Sequence, residues 1–389
     1  MKLVVMESER SEVTSERFLS LLQKEFLVMM LPSREFQDED FLEQLEKKLG
    51  GFDVWPLRLE RPISTDKKIH PDLDKAPAGF LVRSSGTSGT GPKMIVHEAA
   101  LFVRKFSNSR PSFQTTLNFF PPDSIAGIET LLESTVHGTK IIQPGKEILP
   151  SRILDLLLTE KIDYLHITPT FMNMLLLHGL SEKHLESVKT LAFGSEPSQP
   201  RILDQIRNLK PEMELRHNYG MSEIGLQATI TNPSRPSYFK FDHDVNPARV
   251  NGGLLEVKTH TPPFKIMDTL HPGEWFPTGD QVELSGDWLK ITGRSDDIIN
   301  VAGKKFFPSV LEDLFMEWEG IQDATVVSEP NELIGNSVTV RISTSTQDDL
   351  IRSQLKSFME AKIPAYMRPQ RIEILKSSEV SARLKKKRR

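Results

Sequence analysis

Apolar and polar residues are arranged in two different periodic patterns along this chain of 389 residues. Between about residues 98 and 217, short apolar runs typical of buried strands alternate with helical patterns. This alternation predicts a mostly parallel sheet flanked by helices, with ligands at the carboxyl ends of its strands. From Gly252 the period changes to two, which predicts a β-rich subdomain of antiparallel strands. The overall prediction is an α/β protein.

The pattern also predicts two domains. A polar stretch near residue 295 separates a large domain, residues 1–294, from a small α+β unit, residues 295–389. In that unit, helices are expected at residues 308–318 and 347–361, and strands at 325–327, 337–342 and 371–375. The first 75 residues give weaker signals, with helical stretches at residues 15–28 and 38–48.

One stretch, residues 84–93, cannot pack a core. Its residues are Ser84, Ser85, Gly86, Thr87, Ser88, Gly89, Thr90, Gly91, Pro92 and Lys93. Glycines permit positive φ, so successive N–H groups can point into one concavity, and the hydroxyls and the lysine add donors suited to a polyphosphate. Apolar runs at residues 80–82 and 94–96 flank the stretch, which predicts strand, loop, strand. The alternative is a flexible surface loop.

A P-loop NTPase motif does not fit this stretch. That motif needs G-x-x-x-x-G-K-[ST] opening directly into a helix. Counted from Gly86, the second glycine is Gly91, but Pro92 comes before Lys93 and Met94 stands where the hydroxyl belongs.

Composition narrows the function classes. The sequence has no cysteine, which excludes disulfides, thiolate metal sites and a cysteine nucleophile, and fits a cytoplasmic enzyme. No apolar run reaches the roughly 18 residues of a membrane span, and no signal-peptide pattern opens the chain. The net charge is −4, although residues 383–389 are basic. We expect no nucleic-acid partner, and the histidines show no zinc-ligand spacing.

Six segments together resemble the motifs of the adenylate-forming superfamily, which comprises acyl- and aryl-CoA synthetases, luciferases and adenylation domains. The segments are residues 84–93, Gly194-Ser195-Glu196-Pro197, Asn218-Tyr219-Gly220-Met221-Ser222-Glu223, Thr278-Gly279-Asp280, residues 293–308 and residues 363–369. Their order and approximate spacing match, whereas any one alone would be weak. The chain is identified as a short-form member.

The resemblance implies roles in ATP binding for the first of these segments. The loop and Lys93 would hold phosphates, and residues 194–197 would border the adenine pocket. The ring of Tyr219 would lie against adenine, the hydroxyl of Ser222 would contact phosphate, and Glu223 would hold Mg²⁺. A hard divalent ion favours carboxylate and phosphate oxygens.

The later segments would bind the ribose and move the small domain. Asp280 would accept hydrogen bonds from both ribose hydroxyls, because a carboxylate presents only acceptors to a diol. Arg294 would also contact the ribose, and Asp296 would be the hinge. Counting from Tyr366 places Lys385 on the catalytic lysine of the last motif, although Lys386 or Lys387 could serve instead.

Several positions depart from the family pattern. Leu384 replaces the glycine of the last motif, and Asn300 replaces a lysine. Ser124 stands where many members have an aromatic or histidine gate to the acid tunnel. Only 83 residues precede the loop, so the N-terminal part is abbreviated.

The resemblance implies an acid–thiol ligase that uses ATP and Mg²⁺. A small-molecule carboxylic acid would become an acyl-adenylate with release of pyrophosphate, and coenzyme A would then accept the acyl group. Two alternatives remain open at this point. The acceptor could be the phosphopantetheine of an acyl carrier protein, or the chain could be a degenerate relative that binds nucleotide without catalysis.

Overall fold

The computed structural model describes residues 2–56, 58–63, 68–69, 71–84, 93–145, 147–266, 275–331, 333–344 and 348–375. Up to residue 107 the elements are β1 (Leu3–Ser8), α1 (Glu12–Gln23), β2 (Leu27–Pro32), α2 (Ser33–Phe36), α3 (Glu39–Leu49), β3 (Asp53–Trp55), α4 (Pro71–Asp74), β4 (Gly79–Arg83), β5 (Met94–Glu98) and α5 (Ala99–Ser107).

The middle of the chain continues the alternation of strands and helices. Its elements are β6 (Thr115–Leu117), α6 (Ile125–His137), β7 (Lys140–Ile142), α7 (Pro150–Thr159), β8 (Tyr164–Ile167), α8 (Pro169–Leu177), β9 (Thr190–Gly194), α9 (Pro200–Leu209), β10 (Glu214–Met221) and β11 (Gly225–Gln227). Helices α7, α8 and α9 each begin with proline, which has no N–H to leave unpaired in the first turn.

The remaining elements are mostly strands. They are β12 (Thr229–Thr231), β13 (Phe239–Phe241), β14 (Ala248–Asn251), β15 (Leu254–Val257), β16 (Lys265–Ile266), β17 (Phe276–Ser285), β18 (Trp288–Arg294), β19 (Ile299–Val301), β20 (Lys304–Phe306), α10 (Pro308–Met316), β21 (Ile321–Asn331), β22 (Gly335–Thr344), α11 (Asp348–Lys362) and β23 (Arg371–Leu375).

The strands form four sheets. The first has the order β16-β5-β4-β2-β1-β3, in which β4 and β5 pair antiparallel around residues 84–93. The second has the order β11-β10-β9-β8-β6-β7 and is parallel from β10 to β7. The third, β12-β13-β18-β17-β15-β14, is antiparallel. The predicted α/β class with parallel-containing sheets and a β-rich part is confirmed.

The fourth sheet belongs to the C-terminal part of the described chain. It has the order β20-β19-β22-β21, with β23 beside β22, and its own apolar cluster contains Phe315, Val340 and Leu355. A different cluster joins the first three sheets through residues such as Phe80, Phe102 and Phe239. The predicted boundary between residues 294 and 295 stays a prediction.

The N-terminal region differs from the sequence prediction. The helix expected at residues 15–28 runs instead from Glu12 to Gln23, and residues 27 and 28 belong to strand β2. Glu25 adopts a positive φ of 61° between the two elements, which turns the chain. Strands β1 and β2 pair in parallel at the centre of the first sheet and are buried. Within the described ranges, no helix combines the length and the hydrophobicity that crossing a membrane requires.

Candidate functional site

The hairpin of β4 and β5 positions both ends of the predicted phosphate loop. The N–H of Ser84 donates to the carbonyl of Lys93 at 3.0 Å, and the N–H of Lys93 donates to Oγ of Ser84 at 2.9 Å. The two strands that flank residues 84–93 are therefore present as the apolar runs predict. The loop residues Ser85, Gly86, Thr87, Ser88, Gly89, Thr90 and Gly91 lie outside the described residues.

Glu223 lies in the turn between β10 and β11, close to charged groups from three other segments. Burial raises the pKa of this carboxyl above its ordinary value, while the positive charges of Arg294 and Lys93 act to lower it. The negative charge of Asp280 acts in the same direction as burial. The structure thus brings Lys93, Asp280 and Arg294 within electrostatic reach of Glu223. In the sequence, 130 positions separate Lys93 from Glu223, and 71 separate Glu223 from Arg294.

Asp280 is half-buried in strand β17, with its side chain 13% exposed, and contacts two neighbours. The hydroxyl of Tyr219 donates to its Oδ2 at 2.7 Å, and Nε of Arg294 lies 3.7 Å from its Oδ1. Nη2 of Arg294 donates to the carbonyl of Thr278 at 3.0 Å. Burial raises the pKa of Asp280, while the Tyr219 hydrogen bond and the Arg294 charge oppose the rise. Nε of Arg294 is buried and has no hydrogen-bond partner, so the pair retains an unused donor.

The segment Asn218-Tyr219-Gly220-Met221 forms the last half of strand β10, whereas the alternating pattern in the sequence ends at about residue 217. Strand β11 folds back beside it and pairs with residues 219–221, which extends the strand. The ring of Tyr219 stacks on Phe239, with centroids 5.7 Å apart and planes at 20°. Asn218 donates to the hydroxyl of Tyr164 at 3.0 Å.

The backbone of Ser222 is hydrogen-bonded to strand β5, which follows the predicted phosphate loop. Its carbonyl oxygen lies 2.8 Å from Nε2 of His97 in strand β5. Burial lowers the pKa of His97 to about 4, so the ring is neutral near pH 7 and carries its proton on the nitrogen that faces this carbonyl. The hydrogen bond joins the first and second sheets beside the site.

The segment Gly194-Ser195-Glu196-Pro197 ends strand β9 next to β10. A Cβ on Gly194 would lie 2.1 Å from the carbonyl oxygen of Asn218, so only glycine fits there. Ser195 is exposed and has a φ of 71°. Oε1 of Glu196 accepts from the N–H of Thr170 at 2.7 Å, in the first turn of helix α8. These residues shape the strand edge that faces the site.

The predicted hinge residue Asp296 is exposed in a short 3₁₀ helix, Ser295–Asp297, between β18 and β19. Hydrogen bonds connect the parts of the chain on either side. Nη1 of Arg201 donates to the carbonyls of Met316 and Ile321 at 3.0 and 3.1 Å, and Asn173 donates to that of Gln322 at 3.0 Å. Lys385 lies outside the described residues.

The sequence prediction missed a buried ion pair that holds the β10–β11 hairpin. Nζ of Lys105 lies 2.7 Å from Oε2 of Glu129 and 2.6 Å from the carbonyl oxygen of Leu226. Oε1 of Glu129 accepts from the N–H of Leu226 at 2.7 Å. The sequence pattern could have revealed this pair. Glu129 lies on the same apolar face of α6 as Ile125 and Leu132, and a buried carboxyl on such a face needs a hydrogen-bonding or charged partner.

Comparison with known proteins gives sequence and fold relatives. 2-Succinylbenzoate–CoA ligase of Listeria monocytogenes is 23% identical over 321 residues, which cover 78% of this chain and 67% of the ligase. The probable acyl-activating enzyme 4 of Arabidopsis thaliana is 22% identical over 427 aligned positions, covering 96% and 75%. Other curated relatives are matched over less than two thirds of their own length, 48% in one case and 62% in another.

A solved structure shares the fold. o-Succinylbenzoate CoA synthetase from Bacillus subtilis, in complex with its acyl-adenylate intermediate, has a TM-score of 0.73 and 15% identity, with 100% of this chain and 87% of that chain covered. The model of the AMP-binding enzyme family matches residues 2–249. This match spans more than half of the chain and shows that the protein belongs to the AMP-binding enzymes, the adenylate-forming superfamily that its motifs predict.

Proposed function

We propose that this protein activates a carboxylic acid with ATP and then transfers the acyl group to coenzyme A. The observation that carries the proposal is the placement of Asp280 against Tyr219 and Arg294, with Glu223 within electrostatic reach of Lys93, Arg294 and Asp280. Two cations and two half-buried carboxylates suit a nucleotide whose phosphates need positive charge and whose ribose needs acceptors. Family membership and the CoA ligases among the relatives support the same activity.

The first step needs no general base. A carboxylic acid with a pKa near roughly 4 to 5 is ionised at neutral pH. One of its oxygens attacks the α-phosphorus of ATP, the bond to the β-phosphate oxygen breaks, and pyrophosphate leaves. The main obstacle is repulsion between two anions, which oriented donors and cations reduce. Lys93 and the loop that begins at Ser84 supply these groups.

Glu223 fits a magnesium site of the usual kind. Mg²⁺ is commonly bound through one or two carboxylates together with substrate phosphates. Within the described part of the chain, no group of three or more His, Cys, Asp or Glu side chains is placed to hold a metal ion. The donor set that we propose is Glu223 together with the phosphates of the nucleotide. When bound, the ion would neutralise phosphate charge. Its binding favours the ionised form of Glu223, against the burial that raises this pKa.

Asp280 and Arg294 are proposed to bind the ribose. One lone pair of Asp280 Oδ2 accepts the hydrogen bond from the Tyr219 hydroxyl. The remaining lone pairs of the carboxylate are acceptors for a diol. The buried Nε of Arg294 offers a donor to a ribose oxygen.

In the second step the sulfur of a thiol attacks the acyl carbonyl, and AMP leaves. We propose that residues 295–389 form a small domain that turns about Asp296 between the steps, and that Lys385 contacts the α-phosphate in the first step. The exposed position of Asp296 and the separate apolar cluster of the C-terminal sheet support this arrangement. A cytoplasmic location is part of the proposal and rests on the absence of cysteine.

The test is exchange of labelled pyrophosphate into ATP across a panel of carboxylic acids. Exchange with at least one acid, followed by a product with the mass of an acyl-CoA, is the expected result. Acylation of a carrier protein without acyl-CoA formation would change the acceptor to a carrier phosphopantetheine. ATP binding without exchange for any acid would refute the ligase and favour a nucleotide-binding relative.

A further inference from the structure

Strand β5, which leaves the predicted phosphate loop, places a histidine inside an apolar cluster. His97 is fully buried beside the rings of Phe80 and Phe102, whose centroids are each 5.3 Å from that of the imidazole. Both phenylalanines belong to the cluster that joins the first three sheets. Because buried side chains are closely packed, these rings restrict the orientation of the imidazole.

This position is unfavourable for a polar side chain. Nδ1 of His97 is buried and has no hydrogen-bond partner among the residues that the structure describes. A buried acceptor that loses its bond to water without a replacement destabilises the folded state, so an apolar side chain would suit the cluster better. The hydrogen bond made by the other ring nitrogen, Nε2, is what an apolar side chain could not provide.

The donor Nε2 fixes the turn that carries Glu223. It lies 2.8 Å from the carbonyl oxygen of Ser222, the residue before Glu223. Lys93 immediately precedes β5 and is four residues from His97, a separation of roughly 13 Å in an extended strand. One segment of chain thus carries both the lysine at the end of the loop and the group that holds the turn.

The backbone on the other side of Glu223 is also held by a side chain. The carbonyl oxygen of Ile224, the next residue, accepts from Oγ1 of Thr261 at 2.8 Å. The turn is therefore fixed both before and after the proposed magnesium ligand. Of these two contacts, the one from His97 connects the turn to the strand that leaves the loop.

We propose that His97 is a positioning residue for the first step, and that its Nε2–H fixes Glu223 relative to the phosphate loop. The carboxylate and the loop residue Lys93 are thereby kept at the separation that a magnesium–nucleotide complex needs. This inference rests on the proposed function and adds a residue to it. His97 acts through the backbone of Ser222, because its own ring is enclosed in the apolar cluster.

Three substitutions separate the donor from the packing. His97→Phe keeps an aromatic ring beside Phe80 and Phe102 but removes the donor. His97→Asn has an amide that stops short of the Ser222 carbonyl. In His97→Gln the amide nitrogen extends about as far from the backbone as Nε2 does, and it can donate the same hydrogen bond.

His217→Phe is the matched control. His217 is 5% exposed, its ring centroid lies 4.9 Å from that of Phe193, and its Nδ1 likewise has no partner within the described ranges. The substitution removes a buried imidazole from an apolar environment and leaves the hydrogen bond between His97 and Ser222 in place.

Two measurements report on the position of Glu223. Calorimetry gives the Kd for ATP with excess Mg²⁺ and again with EDTA, and pyrophosphate exchange gives the Mg²⁺ concentration for the half-maximal rate. In His97→Phe and His97→Asn, we expect the Kd with Mg²⁺ and this half-maximal concentration to rise about ten- to a hundredfold. The Kd with EDTA should stay within about threefold, because the loop and the ribose site do not depend on this donor.

His97→Gln and His217→Phe should stay within about threefold of the unsubstituted protein in all of these values. The urea midpoint of His97→Phe should stay within about 0.5 M, because one unpaired buried acceptor replaces another. A role in stability alone would instead lower the midpoint and leave the effect of Mg²⁺ on the Kd unchanged.

Several outcomes would overturn the inference. They are an unchanged Kd with Mg²⁺ in His97→Phe, equal rises with Mg²⁺ and with EDTA, and an equal effect of His217→Phe. If His97→Phe does not fold, the comparison of His97→Asn with His97→Gln decides, and equal losses in these two refute the role.

Failure of the ligase proposal would be distinguishable. If ATP binds but no acid supports exchange, the ligase proposal fails, and the Kd values with Mg²⁺ and with EDTA still decide the role of His97. An unsubstituted protein that binds no ATP would overturn both.

Discussion

Removal of the Tyr219 hydroxyl tests whether ATP binding by Asp280 depends on the hydrogen bond between these two residues. In Tyr219→Phe the ring can keep its stacking on Phe239, but the 2.7 Å hydrogen bond to Asp280 is lost. Hydrogen bonds to charged groups contribute about 1.5–3 kcal/mol, and about 1.4 kcal/mol corresponds to a factor of ten. We therefore expect the KM for ATP in pyrophosphate exchange to rise about ten- to a hundredfold, with a smaller change in kcat.

The nucleotide itself provides a second readout. If Asp280 binds the ribose hydroxyls, the protein should use 2′-deoxy-ATP and 3′-deoxy-ATP less well than ATP. Tyr219→Phe should narrow that difference, because a carboxylate without its fixed orientation distinguishes the sugars less. A variant that merely unfolds in part would lose activity with all three nucleotides equally.

The pH profile gives a third readout with a defined sign. Burial raises the pKa of Asp280, and the Tyr219 hydrogen bond is a cause that lowers it. Loss of that hydrogen bond lets the pKa rise further. The carboxylate then accepts a proton at a higher pH, so the acidic limb of kcat/KM for ATP should move to higher pH in Tyr219→Phe.

Tyr238 is a matched control, since its hydroxyl also donates to a carboxylate at 2.7 Å, that of Glu283, but at an exposed position. Tyr238→Phe should leave the KM for ATP, the sugar preference and the acidic limb unchanged. An ATP KM for Tyr219→Phe within about twofold of the unsubstituted protein would refute the reasoning, as would an equal effect of the two substitutions.

Three further substitutions test other parts of the site. Glu223→Gln should lower exchange at saturating Mg²⁺ by about a hundredfold or more, measured as kcat, because a neutral amide is a poor magnesium ligand. Lys105→Met leaves Glu129 buried without its cation and should reduce the free energy of unfolding in urea by about 3–5 kcal/mol. That loss should be smaller at pH 5 than at pH 8, because removal of the lysine raises the pKa of Glu129 further and protonation relieves the charge. Gly194→Ala should reduce the free energy of unfolding by about 1–3 kcal/mol, because its Cβ would press on the Asn218 carbonyl.

Each of these has a control. Glu212→Gln, at an exposed position, should leave exchange unchanged. Lys140→Met breaks the surface pair with Glu160 and should cost less than about 1 kcal/mol, so an equal loss for Lys105→Met would contradict the buried pair. Ser195→Gly, next to Gly194, relaxes a positive φ and should not destabilise the protein.

The sequence was sufficient for the elements around the loop and for the parallel sheet. The apolar runs at residues 80–82 and 94–96 identify β4 and β5, and the helix predicted from residue 308 begins at Pro308, as α10 does. The predicted strand at residues 371–375 agrees with β23 at both ends. These signals are local, so a single sequence contains them.

Other features depend on contacts between distant residues and could not be predicted in this way. The extension of β10 to Met221 requires β11 to fold back beside a segment that contains a glycine and lies beyond the end of the predicted alternating pattern. The Tyr219–Asp280 hydrogen bond joins two different sheets across 61 positions. The end of α1 at Gln23 is followed by the positive φ of Glu25. A glutamate in the sequence does not predict this conformation, which is typical of glycine.

Strand β10 has a consequence for how this protein can diverge. Tyr219 donates to the carboxylate of Asp280 on one face of the strand, and its neighbour Asn218 donates to Tyr164 on the other face. A substitution at Asn218 can therefore change the surroundings of Tyr164 while the Tyr219–Asp280 hydrogen bond is kept. One face of a single strand can vary in sequence while the other face keeps the contacts beside the proposed nucleotide site.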